Sequence, residues 1–196
     1  MAETETLDRD LFIAGLDAVR EIGGQELAQV LLEQAGQSRF KHNELLPDRI
    51  PIDQYLHFRD TALEFLQESF RMTAFNTGRL LARNLRAQRG KEIEKLLQAF
   101  AYSKNKLPVI GQAAVLAAKD NPGTVRAELE DDDRLLLTIE NCPECRGLKE
   151  ETPFCYLNQG VLSEFAEIFL DVHVTTRETR CAALGDEFCE IEVRIR

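Results

Sequence analysis

The chain has 196 residues, of which 44% are hydrophobic and 30% charged, an ordinary composition for a globular domain with one well-filled core. Its 34 acidic and 24 basic residues give a formal net charge of −10, which disfavours nonspecific binding to nucleic acid or to an anionic membrane. The first residues carry neither a basic region nor an apolar run, and no apolar stretch approaches the roughly 20 residues that span a bilayer. We therefore expect a cytoplasmic protein whose cysteines stay reduced.

Apolar residues recur every three or four positions through the first 121 residues, which is the spacing of amphipathic helices. The pair Gly23-Gly24 ends the first predicted helix, and Asp53 is predicted to cap the third. The predicted helices are Leu7–Gly23, Gln25–Gln34, Asp53–Phe70, Met72–Gln88, Ile93–Phe100 and Pro108–Lys119.

The apolar period changes from near 3.6 to 2 after Gly123. Two alternating runs, separated by a turn at residues 131–133, predict a hairpin with one buried face. A helix from Cys155 to Leu170 and a strand that begins at Val172 come next. The last predicted strand runs from Cys189 to Arg196 and places these residues on one face: Cys189, Ile191, Val193 and Ile195.

Helices followed by two hairpins around one further helix predict an α+β fold, in which a helical N-terminal part packs on a small antiparallel sheet. The sequence contains no internal repeat, low-complexity segment or linker. We expect one domain over residues 1–196, mainly helical up to residue 121, with the sheet, a helix and the cysteines in residues 122–196.

One predicted helix carries a basic stripe on the side opposite its apolar residues. Arg79, Arg83 and Arg86 lie at helical spacing along this stripe. Two interpretations stay open: a solvated face that balances the acidic surface, or a clamp for a carboxylate or a phosphate.

All five cysteines lie between residues 142 and 189. Cys142 and Cys145 form a C-P-x-C-x-G turn, in which proline and glycine shape the backbone so that the two sulfurs point to one place. Cys155 follows, and Gly185-Asp186 can reverse the chain between Cys181 and Cys189. Because reduced thiols disfavour disulfides, we interpret the cluster as a metal site, with inert core cysteines as the alternative.

The last quarter of the chain resembles the C-terminal signature of the 4-vinyl reductase domain family. The matching motifs are Pro153-Phe154-Cys155, a helix that contains Gly160, and the run from Arg177 to Ile191. This family includes stand-alone proteins tied to chlorophyll and bacteriochlorophyll biosynthesis and the sensory domains of aromatic-responsive transcription activators. The resemblance implies a fold similar to that of haem-nitric-oxide-binding sensors and small vesicle-tethering subunits.

Phenol-sensing members of that family hold a structural zinc with three cysteines and a glutamate. The resemblance implies that the corresponding ligands here are Cys155, Cys181, Cys189 and Glu178. Glu178 and Cys181 would face opposite sides of a regular strand, so joint ligation requires a bulge or a strand end near Thr179.

The additional C-x-x-C turn leaves a second ligand set open. If Cys142 and Cys145 contribute, the site becomes all-cysteine, and four thiolates suit structural zinc and an iron–sulfur cluster equally well. We expect zinc as the cofactor, with an iron–sulfur cluster as the alternative.

The resemblance further implies a hydrophobic ligand enclosed between the helices and the sheet. It suggests a carrier, chaperone or sensor for a tetrapyrrole or another apolar ligand, linked to chlorophyll metabolism or photosystem assembly, whose propionates could meet the basic stripe. His42, His57 and His173 are candidate ligands of a chelated metal. The candidate ligand-binding residues are Phe65, Phe70, Phe75, Arg79, Phe100, Tyr102 and Tyr156.

Two further expectations concern catalysis and assembly. The sequence has no G-x-G-x-x-G motif after a strand and no P-loop, so a reductase acting on a tetrapyrrole vinyl group would need an iron–sulfur cluster as its electron source. The segment Leu7–Ile22 has apolar residues on more than one face, which favours a homodimer formed through the helices.

Overall fold

The computed structural model describes residues 5–41, 46–100, 105 and 107–195. Within these ranges the protein has the predicted α+β fold. The helices are α1 (Arg9–Gln34), α2 (Ile52–Leu66), α3 (Ser69–Gln88), α4 (Gly90–Ala99), α5 (Leu107–Ala118) and α6 (Tyr156–Leu170). The strands are β1 (Thr6–Asp8), β2 (Arg49–Pro51), β3 (Thr124–Asp131), β4 (Arg134–Glu140), β5 (Val174–Arg180) and β6 (Cys189–Ile195).

The N-terminal helices form where the apolar spacing predicts them, with a sharp kink between them. Gly24 has φ 76° and ψ −179°, so α1 contains both predicted helices on either side of this residue. The predicted start at Leu7 is wrong, because Leu7 lies in β1 and pairs with Ile50 of β2. Asp8 then caps α1 by accepting a hydrogen bond of 2.9 Å from the backbone N–H of Asp10.

The boundary between α2 and α3 also differs from the prediction. Asp53 lies in the first turn of α2 and not at its cap, which is Pro51 and makes no side-chain hydrogen bond to the helix. Phe70 belongs to α3, because Gln67 adopts a left-handed φ of 47° and ends α2 before it.

The larger sheet is antiparallel and has the strand order β3-β4-β6-β5. Its buried face carries Leu135, Leu137 and Ile139 of β4, next to the apolar residues that alternate along β6. The two strand residues farthest from the core depart from this pattern, since Leu129 and Ile195 are 42% and 37% exposed. Helices α5 and α6 pack on this sheet, α3 packs on α6, and α1 packs on α3.

The contact between α3 and α6 is unusually close, because each helix has a glycine where the other presents its backbone. An ideal Cβ on Gly78 would lie 2.0 Å from the carbonyl oxygen of Leu157, and one on Gly160 would lie 2.0 Å from that of Phe75. No side chain fits at either position without moving a helix. This approach determines where α6, and Cys155 at its start, lie relative to the helical layer.

Among the described residues, no helix combines the length and the apolar character needed to cross a bilayer.

A candidate metal centre beside an apolar cavity

The five cysteines, dispersed over 48 positions of the sequence, converge in the fold on one buried point, where each is at most 3% exposed. Short backbone segments at the ends of strands and helices position them, so the sulfurs do not depend on long flexible connections. Their positions are the turn after β4 (Cys142 and Cys145), the N-cap of α6 (Cys155), the residue after β5 (Cys181) and the first residue of β6 (Cys189).

Cys145 lies at the centre of the cluster. Its Sγ is 3.4 Å from that of Cys155, 3.6 Å from that of Cys181 and 3.5 Å from that of Cys189. Cys142 Sγ lies 3.6 Å from Cys155 Sγ. All five cysteines are free of disulfide bonds.

Two overlapping sets of four residues have ligand atoms within 4.8 Å of one another. The cluster can therefore hold a metal ion. Neither set equals the one implied by the resemblance, because each includes Cys145 of the C-x-x-C turn. The first set is Cys142, Cys145, Cys155 and Cys189, and the second is Cys145, Glu178, Cys181 and Cys189.

Glu178 reaches the cysteines because β5 contains the bulge that joint ligation requires. Glu178 pairs with Ile191 and Arg180 with Glu190, so two steps along β5 match one step along β6. The Oε2 atom of Glu178 accepts a hydrogen bond of 2.8 Å from the Cys155 backbone N–H. Its Oε1 atom is buried and has no hydrogen-bond partner among the described residues.

The electrostatics of the cluster are those of acidic groups crowded together in a low dielectric. Burial raises the pKa of the Glu178 carboxyl to about 8. A hydrogen bond with Cys155 lowers the pKa of Cys181 to about 5, whereas hydrogen bonds within the cluster raise the pKa of Cys155. A bound cation would allow these groups to ionise together, because a coordinated thiol loses its proton.

The C-x-x-C turn is held from behind by a buried arginine of α2. Arg59 is 4% exposed, and its Nη1 donates hydrogen bonds of 3.1 and 2.9 Å to the carbonyl oxygens of Pro143 and Glu144. Its Nη2 donates one of 3.0 Å to the carbonyl oxygen of Arg146. One guanidinium thus satisfies three carbonyls of the turn, a role that no sequence motif predicted. The available signal was a charged residue on the apolar face of a predicted helix.

The side chain between the two cysteines of the turn is also buried. Glu144 is 4% exposed, and its Oε1 accepts a hydrogen bond from the Tyr55 hydroxyl of α2. Burial raises the pKa of both the Glu144 carboxyl and the Tyr55 phenol. Tyr55 and Arg59 are one helical turn apart, so one face of α2 docks on the turn.

Two apolar cavities adjoin this turn. The first has a volume of about 70 Å³, lies between the helices and the sheet, and is lined by Leu11, Leu81, Ala114, Leu137, Val161 and others. The second has a volume of about 40 Å³ and lies between α1, α2 and α3. Leu11, Glu144 and Leu157 line both cavities, so these three side chains form the partition between them.

The aromatic residues predicted to bind a ligand lie in several places. Phe70 lines the second cavity, whereas Phe65 is 50% exposed and lines neither of the two. Phe75 and Phe100 are half-buried outside both cavities. Tyr156 also lies outside them, with the Arg71 guanidinium over its ring.

The remaining candidates are either engaged by other residues or outside the described part. Arg79 forms ion pairs with Glu164 and Glu167 of α6 at 2.6 and 2.8 Å. His57 and His173 are exposed on the surface. Tyr102 and His42 lie outside the described residues.

Comparison with known families identifies one domain type. Residues 135–195 match the family model of the 4-vinyl reductase domain. The matched stretch runs from β4 to the end of β6 and contains every cysteine and Glu178.

Two similar proteins come from Methanocaldococcus jannaschii. The uncharacterized protein MJ0745 is 32% identical over 77 residues, which are 39% of this chain and 41% of that protein. The uncharacterized protein MJ0150 is 24% identical over 122 residues, which are 62% of each chain. These matches span less than two thirds of the relatives' length.

The fold is also found among solved structures. An H-NOX protein from S. oneidensis in the Fe(II)NO ligation state superposes with a TM-score of 0.64 at 13% identity, covering 97% of this chain and 99% of that one. An H-NOX protein mutant from K. algicida gives a TM-score of 0.64 at 12% identity and covers 97% of both chains. At these identities the similarity establishes the fold alone.

Proposed function

This chain carries a 4-vinyl reductase domain at residues 135–195 on an H-NOX-like fold, and from that premise we propose that it binds a small apolar molecule beside a structural zinc ion. The observation that carries the proposal is the apolar cavity of about 70 Å³, whose wall includes Pro143 and Glu144 of the C-x-x-C turn. A ligand in this cavity would touch the same turn that holds two cysteines of the metal centre. Such a protein acts as a carrier or a sensor.

The sulfur separations support zinc. Four sulfurs placed tetrahedrally at 2.3 Å from one zinc ion stand about 3.8 Å apart, and the sulfurs in contact here are 3.4–3.6 Å apart. An iron–sulfur cluster inserts several iron and sulfide atoms between its cysteines and therefore needs wider spacing. A four-ligand zinc site without an open position is structural, since catalytic zinc keeps one position for water.

The unpartnered oxygen of Glu178 favours the set Cys145, Glu178, Cys181 and Cys189. A buried carboxylate oxygen without a hydrogen bond is unfavourable, and a cation at the centre of this set would satisfy it. Cys145 and Cys189 belong to both compact sets, so they are ligands in either arrangement.

The dimensions of the cavity favour a small ligand. A volume of about 70 Å³ accommodates a molecule with about one six-membered ring. A tetrapyrrole would require α3, α5 and α6 to separate, so the link to chlorophyll metabolism stays a prediction that depends on such an opening. Because the sulfur spacing disfavours a cluster, the alternative of an iron–sulfur reductase ranks second.

A cysteine series tests the zinc proposal. We expect roughly one zinc per chain, measured by mass spectrometry on the full chain purified anaerobically without added metal. Cys145→Ser and Cys189→Ser lose the ion, whereas Cys142→Ser, the matched control in the same turn, retains it. Retention in the Cys181→Ser variant together with loss in Cys142→Ser would assign the all-cysteine set instead. Iron with sulfide and a broad visible absorption band would exclude the zinc assignment.

A further inference from the structure

The partition between the two apolar cavities contains one polar side chain with unused hydrogen-bonding capacity. Glu144 lines both cavities and is 4% exposed, while its neighbours in the partition are Leu11 and Leu157. A carboxyl group in such apolar surroundings stays only where hydrogen bonds offset its burial.

The hydrogen bonds that the protein supplies account for half of this carboxyl group. The Tyr55 hydroxyl donates to Oε1, and the Arg59 guanidinium donates to the Glu144 backbone carbonyl and not to its side chain. Among the described residues no hydrogen bond reaches Oε2. An acceptor atom therefore remains at the boundary between two apolar cavities.

An acceptor in this position discriminates between ligands. An apolar molecule that carries one N–H or O–H group would bury its body in the cavity and donate to Oε2. A molecule of the same shape without a donor would leave Oε2 unpaired, and one with an acceptor would oppose it. The other polar lining residues of the first cavity, Asn121 and Asn158, lie in its wall together with Glu144.

We propose that Glu144 is the recognition group of this cavity and that it selects small apolar ligands with a single hydrogen-bond donor, an alcohol or a primary amine. This inference rests on the proposed function, because it requires a ligand in the cavity. It also links that ligand to the metal centre, since Glu144 lies between Cys142 and Cys145 in the sequence.

Four ring compounds of similar shape test the inference: cyclohexanol, cyclohexylamine, cyclohexanone and methylcyclohexane. Each is titrated into the zinc-loaded full chain, and the dissociation constant is obtained from amide chemical shifts in NMR spectra. We expect cyclohexanol or cyclohexylamine to bind at least about tenfold more tightly than the other two, as for a hydrogen bond to a carboxylate. The one that binds more tightly identifies the donor as an alcohol or an amine.

The Glu144→Gln variant keeps the shape of the side chain and changes its chemistry. Its amide oxygen can accept from Tyr55, so its NH₂ group faces the cavity and the preference shifts to cyclohexanone. Glu151→Gln, at an exposed position nearby, is the matched control and keeps the wild-type preference. Zinc content is measured for both variants, because a purely structural Glu144 could change metal binding but would not invert ligand preference.

Two outcomes separate the inference from its premise. Equal binding of all four compounds to the wild-type chain overturns the role of Glu144 and leaves the binding cavity in place. No binding of any compound overturns the proposed function and the inference with it. The wild-type titrations decide both points even if the Glu144 variant does not fold.

Discussion

Glu164 is the residue that explains the basic stripe of α3. Its side chain is 5% exposed and accepts hydrogen bonds of 2.6 Å from both Arg79 and Arg83. The stripe thus clamps a carboxylate, as one interpretation of the sequence held, but this carboxylate belongs to α6 of the same chain. Arg86, at the end of the stripe, is exposed as the other interpretation held.

The clamp predicts an acid-dependent stability. Burial alone would raise the pKa of Glu164, but the hydrogen bonds from Arg83 and Arg79 outweigh it and lower the pKa below the usual 4.5. Because the folded-state pKa is the lower one, this stabilisation is complete above about pH 4.5 and is lost as the pH falls through the folded-state pKa. Glu164→Gln should lower the free energy of unfolding at pH 7 by about 1–2 kcal/mol.

Urea unfolding between pH 3 and pH 7 measures this effect. The difference between wild type and Glu164→Gln should shrink towards pH 3, where both side chains are uncharged. Glu128→Gln, at an exposed position of β3, should have no such pH dependence. A constant difference over the whole range would mean that Glu164 acts by packing alone.

At the scale of elements, the contact between α3 and α6 connects the helical layer to the metal centre. Gly78 and Gly160 let the two backbones touch, and the clamp at Glu164 lies farther along the same pair of helices. Cys155 caps α6 and belongs to the cysteine cluster. A displacement of α6 would therefore move a sulfur of the centre.

Gly78→Ala and Gly160→Ala should each destabilise the protein by roughly 3 kcal/mol, because the added methyl group meets a backbone carbonyl that cannot move alone. Gly15→Ala is the matched control in α1. Its Cβ would lie 3.7 Å from the Phe58 ring, an ordinary contact, so this variant should be neutral or stabilised by up to about 1 kcal/mol. Thermal unfolding of the three variants distinguishes close packing from helix propensity. Equal effects at all three positions would contradict the close approach of α3 and α6.

At the scale of the whole molecule, the centre joins segments that are far apart in the sequence. Its residues come from the end of β4, the start of α6, the end of β5 and the start of β6, and Arg59 adds α2 to this set. The apolar residues Leu11, Phe12 and Leu16 of α1 are buried within the chain itself. The homodimer expected through the N-terminal helix stays a prediction.

Removal of the metal should loosen the part that the centre joins before it affects the rest. Because metal binding is coupled to folding, a strong chelator should lower the melting temperature by about 10 °C, which corresponds to roughly 3–5 kcal/mol for a chain of this length. Amide hydrogen exchange should accelerate first in α6, β5 and β6, while α1 stays protected. Added zinc should reverse both effects. Uniform exchange along the chain would show that the centre is not a local support.

Most of the elements and the identity of the chemical groups follow from the sequence by itself. Apolar periods of 3.6 and 2 predicted the helices and the hairpin, the motif from Arg177 to Ile191 predicted the 4-vinyl reductase domain, and the requirement for a bulge near Thr179 is confirmed. These features are local: each depends on residues within one helix, one hairpin or one motif.

Only the tertiary structure decided which groups meet. Tyr55 and Arg59 dock on a turn more than 80 residues away and bury Glu144, and the cavity takes its walls from aliphatic residues of several elements instead of the predicted aromatic residues. Periodicity shows which face of an element is buried but not what is buried against it, because that depends on long-range packing. The ligand set followed the same rule, since Cys145 joined it through the fold and not through the family motif.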